Sequence, residues 1–262
     1  MGVLAVIPAR YGSTRFTGKP LALLAGKPMI QHVYEGVARA RHLDEVVVAT
    51  DDERIVDAVE RFKGQAMMTS PQARSGSERA AEVARTRNHQ VIINIQGDEP
   101  LIHPEMVDQL AEYLERHAAV PMASLMTTLR AEDMANPNVV KVVADRDGFA
   151  LYFSRAPIPY QREAQGSGLR AQGSSPQPPA PSPEPRRYKH LGIYGYQRHF
   201  LLQFPSLEPT PLEQAEQLEQ LRALEHGYRV KLLETAHDTI GIDTREDLER
   251  VQALLDASVK QE

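Results

Sequence analysis

Val3-Leu4-Ala5-Val6-Ile7-Pro8-Ala9-Arg10-Tyr11-Gly12-Ser13-Thr14-Arg15-Phe16-Thr17-Gly18-Lys19-Pro20 opens the chain with an apolar run that passes into a basic loop. Val3 to Ile7 reads as a buried strand. The loop after it places Arg10, Arg15 and Lys19 within ten residues, and no Asp or Glu precedes Glu35. Gly12 and Gly18 add backbone freedom, while Ser13, Thr14 and Thr17 add hydroxyls. A cationic, acid-free loop at the end of a strand is suited to a polyanion such as a triphosphate. It is not a Walker A loop: five residues separate Gly12 from Gly18, and Pro20 stands where Ser or Thr is needed. Pro20 also biases Lys19 away from helical geometry. Arg and Lys side chains with loop amides would hold the phosphates, so any metal ligand must come from elsewhere in the chain.

Outward from this loop, strands and helices alternate. Met29–Ala40 reads as an amphipathic helix entered by Pro28. Glu45–Thr50 is a strand ending in Asp51-Asp52, with Asp52 placed to cap the helix Glu53–Phe62. Gln65–Met68 is a weaker strand, Ser77–Asn88 a helix, Val91–Ile95 a buried strand, and Pro104 to Arg116 a helix. Such alternation predicts an α/β fold of βαβ units, with a mostly parallel central sheet and helices on both faces. Ligands of such sheets sit beyond the carboxyl ends of the strands. There lie the basic loop, Thr50-Asp51-Asp52 and Gln96-Gly97-Asp98-Glu99-Pro100.

The second half changes rhythm. Val120–Thr128, Val139–Ala144 and Ala150–Ser154 read as strands, the last two forming a hairpin around Asp145-Arg146-Asp147-Gly148. His190–Tyr196 is a further strand, Leu212–Glu225 a helix, Arg229–Leu233 a strand and Arg245–Ala257 a closing helix. One domain over 1–262 is expected: a core over 1–120, a smaller β-rich excursion over 121–210, and a return to the core over 211–262. Within the excursion, the Pro-, Gly- and Ser-rich stretch 162–187 has little to bury and reads as a mobile loop, either a lid or an inert insertion.

Composition narrows the function classes. The formal charge of −5 argues against general nucleic-acid affinity, and the absence of Cys excludes disulfides, Cys-ligated zinc and a Cys nucleophile. It also fits a reducing cytoplasm. The N-terminus lacks signal-peptide features, and no apolar run is long enough to span a membrane.

Two carboxylates and one polar group of residues carry candidate chemistry. Asp98, after the strand Val91–Ile95, faces the basic loop if both strands are central; hard oxygens beside phosphate suit Mg²⁺, the alternative being a helix cap. Asp243 in Gly241-Ile242-Asp243-Thr244 is either a second metal ligand or, with Thr244, a cap of the last helix. Arg155, His190, Tyr194, Glu219 and Gln220 could bind a polyhydroxy acid. His190 and Tyr194 share a strand face, and Glu216 and Gln220 a helix face.

At this point nine segments fall into a family order: IPARYGSTRFTGKPLALLAGKPMIQHV (7–33), VVVATDDERI (46–55), SGSERAAEV (75–83), INIQGDEPLI (93–102), NPNVVKVV (136–143), ALYFSRAPIP (150–159), HLGIYGY (190–196), PLEQAEQLEQLRAL (211–224) and GIDTREDLERV (241–251). The chain resembles the 3-deoxy-manno-octulosonate (Kdo) cytidylyltransferases, the CMP-Kdo synthetases. The resemblance implies a Rossmann-like nucleotidyltransferase fold, usually a homodimer through the excursion strands. It implies conversion of CTP and Kdo to CMP-Kdo and diphosphate with Mg²⁺, in the route to lipopolysaccharide. It places Arg10, Ser13, Arg15 and Lys19 on the CTP side, with Lys19, Arg15 and Asp98 catalytic. It places Asp98 and Asp243 on the metal, and Gln96, Arg155, His190, Tyr194, Glu219 and Gln220 around the sugar acid. Thr17 stands where the family commonly has Pro, and the Pro-rich insertion is longer than in typical members. Transfer to an amino-substituted Kdo or a sialic acid, and a non-catalytic CTP-binding module, are the rival readings.

Overall fold

Alternation of apolar residues along the first strand sets the layers of the molecule. In a computed structural model that describes residues 2–12, 16–160 and 186–259, β1 (Val3–Ala9) sends Val3, Ala5, Ile7 and Ala9 to one core and Leu4 and Val6 to another. Successive side chains of a strand point to opposite faces, so a strand buried on both sides must be apolar throughout.

The remaining elements follow in chain order: β2 (Leu23–Leu24), β3 (Lys27–Pro28), α1 (Met29–Val37), β4 (Glu45–Thr50), α2 (Glu53–Arg61), β5 (Ala66–Met68), α3 (Gly76–Arg85), β6 (Val91–Asn94), α4 (Pro104–Arg116), β7 (Met122–Thr128), β8 (Lys141–Ala144), β9 (Ala150–Ser154), β10 (Tyr188–Gln197), α5 (Arg198–Gln203), α6 (Pro211–Glu216), α7 (Gln220–Glu225), β11 (Val230–Glu234) and α8 (Arg245–Val259). The main sheet runs β11-β7-β10-β6-β1-β4-β5, with β8 and β9 attached beside β10. The pairs β1–β4, β1–β6, β4–β5 and β7–β11 are parallel, as expected for βαβ units, while β10 enters antiparallel to both β6 and β7. Helices α1, α2 and α4 cover one face through Ile30, Val33, Ile55, Val59, Met106 and Leu110. Helices α3, α5 and α7 cover the other through Ala80, Ala84, Phe200 and Leu221. The α/β architecture and the β8–β9 hairpin therefore agree with the sequence reading.

Three local features differ from it. The expected helix 212–225 is two helices, because Gln217 adopts φ 54°, ψ 48° and ends α6. A capping box of Thr210 and Glu213 starts α6, and Arg155 donates from Nε to the Glu216 carbonyl oxygen at 2.8 Å, occupying an acceptor that a continuing helix would use. Glu216 and Gln220 consequently do not share one helix face. The small β2–β3 hairpin and helix α5 were not expected either; both are short, with weak periodic signals. Most of the stretch 162–187 lies outside the described residues. Among those residues, no helix is long and apolar enough to cross a membrane.

A smaller core joins the beginning of the chain to its end. Phe16, Leu24, Met29, Ile242 and Val251 pack together, and the Arg245 guanidinium lies 5.4 Å from the centroid of the Phe16 ring.

Candidate active site

The carboxyl ends of β1, β4 and β6 converge because the three strands are parallel neighbours. The basic loop leaves β1 and closes on itself through a hydrogen bond from Gly18 N to Tyr11 O of 2.8 Å. Gly18 sits at φ 72°, and a Cβ there would lie 3.2 Å from the Tyr11 ring, so glycine is needed to bring the chain round. That turn leads into Lys19, whose ammonium donates to Asp98 Oδ2 at 2.7 Å and to Asp243 Oδ1 at 3.3 Å. The structure thus brings together all three of these sequence-predicted residues. Gly97 permits the approach on the β6 side, since a Cβ there would stand 2.8 Å from the Pro8 carbonyl oxygen. From the C-terminal side, Ile242 N donates to Asp98 O at 2.9 Å. The capping question is settled in favour of Thr244, whose Oγ1 accepts from Asp247 N at 3.2 Å; Asp243 turns to Lys19 instead. Ser13 and Arg15 lie outside the described residues.

Beneath the loop is a charged group that sequence reasoning missed. Arg79, on α3, is fully buried and donates to Asp51 Oδ2 at 2.6 Å and to Thr69 Oγ1 at 2.6 Å. The missed signal was an arginine set among Ala80, Ala81, Val83 and Ala84, facing a strand that ends in an aspartate. Arg10 donates from Nη2 to the Ala73 carbonyl oxygen at 2.5 Å. Burial lowers its pKa, and the like charge of Arg79 lowers it further. A binding site for an anion is expected to hold positive charge under this kind of strain. Lys27 is turned elsewhere, pairing with Glu35 at 2.7 Å, and Asp52 caps α2 through Arg54 N at 3.0 Å, as expected.

Of the second group of predicted residues, Gln96, His190, Tyr194 and Glu219 lie about the pairing of β10 with β6, whereas Arg155 is engaged elsewhere. The register of β10 against β7 jumps between Leu191 and Tyr194, which adds residues opposite Ser124. Ser124 Oγ knits this irregularity, donating to the carbonyls of Leu191 and Ile193 and meeting His190 Nε2 at 2.9 Å. His190 and Tyr194 remain on one face, their rings 5.4 Å apart, with Tyr194 opposite Asn94 of β6. Glu219, at the start of α7, accepts from Ser77 Oγ at 2.7 Å, and burial raises its pKa. Gln96 and Glu99 flank Gly192. Burial pushes the Glu99 carboxyl up to about 8, with the neighbouring Asp98 charge adding to the rise. Three buried polar atoms of this region, Asn94 Oδ1, Glu99 Oε2 and Gln220 Nε2, have no hydrogen-bond partner among the described residues. Buried polar groups are nearly always paired, so these three atoms are places where a water or a polar ligand would be held. Arg155 directs its guanidinium at the carbonyls of Glu216 and Pro137.

Burial of His190 also makes a prediction. Its pKa falls to about 3 because desolvation penalises the imidazolium. The unfolded state of this group, near 6.5, binds more protons throughout the window between these values, so the contribution of His190 to stability rises with pH from about 3 to about 6.5. Lowering the pH from 7 to 5 should cost about 2 kcal/mol through this group alone. Glu99, raised to about 8, acts in the opposite sense over the same window, so the His190 share is read as a difference: in urea unfolding at both pH values the native chain should lose about 2 kcal/mol more on acidification than His190→Gln. Equal losses in the two proteins would assign the acid sensitivity to other groups.

Comparison with known proteins gives the family. Residues 4–234 match the cytidylyltransferase family model. The chain is 51% identical to a 3-deoxy-manno-octulosonate cytidylyltransferase of Geobacter sulfurreducens, over 96% of this chain and 98% of that one. It is 50% identical to the Syntrophotalea carbinolica protein of the same name, over 97% and 99%. A solved CMP:2-keto-3-deoxy-manno-octonic acid synthetase, complexed with CTP, superposes with a TM-score of 0.88 at 42% identity, covering 98% of this chain and all of that one. The 4-diphosphocytidyl-2C-methyl-D-erythritol synthase of Anaerococcus prevotii shares the fold, at a TM-score of 0.62 and 14% identity. Near-complete coverage at half identity places this chain in the 3-deoxy-manno-octulosonate cytidylyltransferase family.

Proposed function

We propose that the chain transfers CMP from CTP to 3-deoxy-D-manno-octulosonate, releasing diphosphate, as a cytoplasmic step towards lipopolysaccharide. The observation that carries this reading is the single ammonium of Lys19 held between Asp98 and Asp243 at the carboxyl ends of the parallel strands. Lys19 brings positive charge to that position, and Arg10, Ser13 and Arg15 are assigned to the same CTP side. Gln96, Arg155, His190, Tyr194, Glu219 and Gln220 are assigned to the sugar acid, a reading supported by the unpaired atoms of Glu99, Asn94 and Gln220 in the same region. His190, neutral and fixed by Ser124, serves as a hydrogen-bonding partner and not as a proton carrier.

In this reading, the anomeric hydroxyl oxygen of Kdo forms a bond to the α-phosphorus of CTP as the bond to the leaving diphosphate breaks. Such transfers depend mainly on positioning and charge neutralisation. Two carboxylates that already share one cation are the hard-oxygen donor set a divalent ion prefers, and Asp98 and Asp243 would hold Mg²⁺. When bound, that ion supplies the charge that acidifies an attacking hydroxyl and neutralises phosphate oxygens. Lys19 then turns from the carboxylates to the phosphates. Lys19→Ala should accordingly weaken CTP binding several-fold more than CMP binding in calorimetric titrations; equal losses would count against a contact with the β- or γ-phosphate.

Diphosphate release measured with CTP and a panel of sugar acids, with and without Mg²⁺, tests the proposal. Release that requires both Kdo and Mg²⁺ supports it. Release with a sialic acid alone, or CTP binding without release, overturns it. The homodimer is proposed through the excursion, where Leu151 and Tyr160 are exposed apolar side chains. Light scattering should give twice the chain mass, and Leu151→Glu should halve that value. A monomer at all concentrations would refute this pairing.

A further inference from the structure

On the flank of this site, three potential metal ligands meet in a place that the nucleotide and sugar-acid assignments do not use. His103 precedes α4, Glu105 lies in its first turn, and His237 comes from the segment after β11. One ligand atom from each lies within 4.8 Å of the others. Glu105 Oε2 stands 2.7 Å from His237 Nε2 and 3.9 Å from His103 Nδ1. Ligands around a tetrahedral ion at 2.0–2.1 Å sit about 3.3 Å from one another, a separation these two distances bracket. The imidazoles stack at 3.8 Å between centroids. Two rings in that arrangement cannot both aim a lone pair at one ion. His103 must rotate, and as a 46% exposed side chain it has room to do so.

We infer that His103, Glu105 and His237 form a binding site for one late first-row divalent cation, of the Zn²⁺ or Co²⁺ type, distinct from the oxygen-only pair Asp98–Asp243. Imidazole nitrogens favour such ions, whereas Mg²⁺ favours oxygen donors. Three protein ligands on an exposed surface leave a fourth position for water. The Glu105 carboxylate supplies the charge that a cation near a helix N-terminus needs, and the ion replaces the hydrogen bond now joining Glu105 to His237. The consequence is mechanical. His103 ends the segment that begins at Asp98, and His237 lies in the segment that leads to Asp243, so an ion here would tie together the two stretches that carry the active-site carboxylates.

The test uses the full chain, stripped with chelator and kept in excess Mg²⁺ so that oxygen-only sites are filled. Co²⁺ should then bind with one equivalent, give visible ligand-field bands of a four-coordinate site, and be displaced by Zn²⁺. His103→Gln, Glu105→Gln and His237→Gln should each weaken Co²⁺ binding by at least about tenfold, while Asp98→Asn should leave it unchanged. Amide exchange over 98–103 and 235–243 should slow with Zn²⁺ in the native chain and not in His237→Gln. Failure of Co²⁺ to bind, loss of binding in Asp98→Asn, or equal binding in all three substituted proteins would overturn the site. Should a variant not fold, anomalous scattering from Zn²⁺-soaked crystals of the native chain decides: a peak among the three side chains supports the site, and none refutes it.

Discussion

Asp98→Asn should lower turnover by at least about 10²-fold, or about 2.7 kcal/mol in the barrier, while CTP binding changes little. The substitution preserves shape and removes one negative charge from a pair. In the native chain Lys19 faces two carboxylates, at 2.7 and 3.3 Å; the amide would leave it one. Loss of that charge removes half of the hard-oxygen donor set proposed for the divalent ion, and with it the electrostatic preparation for charge developing at the α-phosphate. Phosphate recognition by the basic loop remains, which is why kcat and not nucleotide affinity should respond. Asp243→Asn should act in the same direction. Because the two carboxylates work as one unit, the double substitution should cost much less than the sum of the two. Steady-state rates combined with calorimetric CTP binding check both statements. Near-native turnover in Asp98→Asn would remove that residue from the chemistry.

The second large effect concerns stability. Arg79→Met should destabilise the fold by about 3 kcal/mol, the lower end of the range for breaking a buried ion pair. Arg79 is fully buried, and its guanidinium satisfies Asp51 and Thr69 together. Methionine fills much of the volume but leaves the Asp51 carboxylate without its cation. Asp51 retains 21% side-chain exposure, so water offsets part of the penalty, hence the lower figure. Arg79→Met combined with Asp51→Asn should recover a substantial part of the loss, because no unpaired charge is then left behind. Urea unfolding of the single and double variants measures this directly. A loss below about 1 kcal/mol in Arg79→Met would show that water or a neighbouring residue replaces the pair. Arg10 gives a second readout: its guanidinium lies under the repulsion of Arg79, so the variant should alter anion affinity as well as stability.

Much of the fold was legible from local chemistry. Strands 3–9, 45–50 and 91–94 are near-continuous apolar runs, and a helix of matching period follows each; these are properties of neighbouring residues. The helix break at Gln217 was not legible. Its cause is Arg155, which lies 61 residues away from the Glu216 carbonyl it binds. Likewise, the apolar neighbours of Arg79 mark its helix as one to be buried, but its pairing with Asp51 follows only when α3 packs over the end of β4.

By itself, the order of residues determined the α/β class, the basic loop after the first strand, the cap at Asp52 and the carboxylate at Asp98, since each depends on backbone preference and charge over a few positions. The tertiary structure alone decided that Asp243 faces Lys19 across 224 residues of sequence and that Thr244, not Asp243, caps the last helix. The physical reason is the small apolar core of Phe16, Leu24, Met29, Ile242 and Val251: burying those side chains against one another draws the end of the chain onto its beginning, and Asp243, adjoining Ile242, is carried to the ammonium.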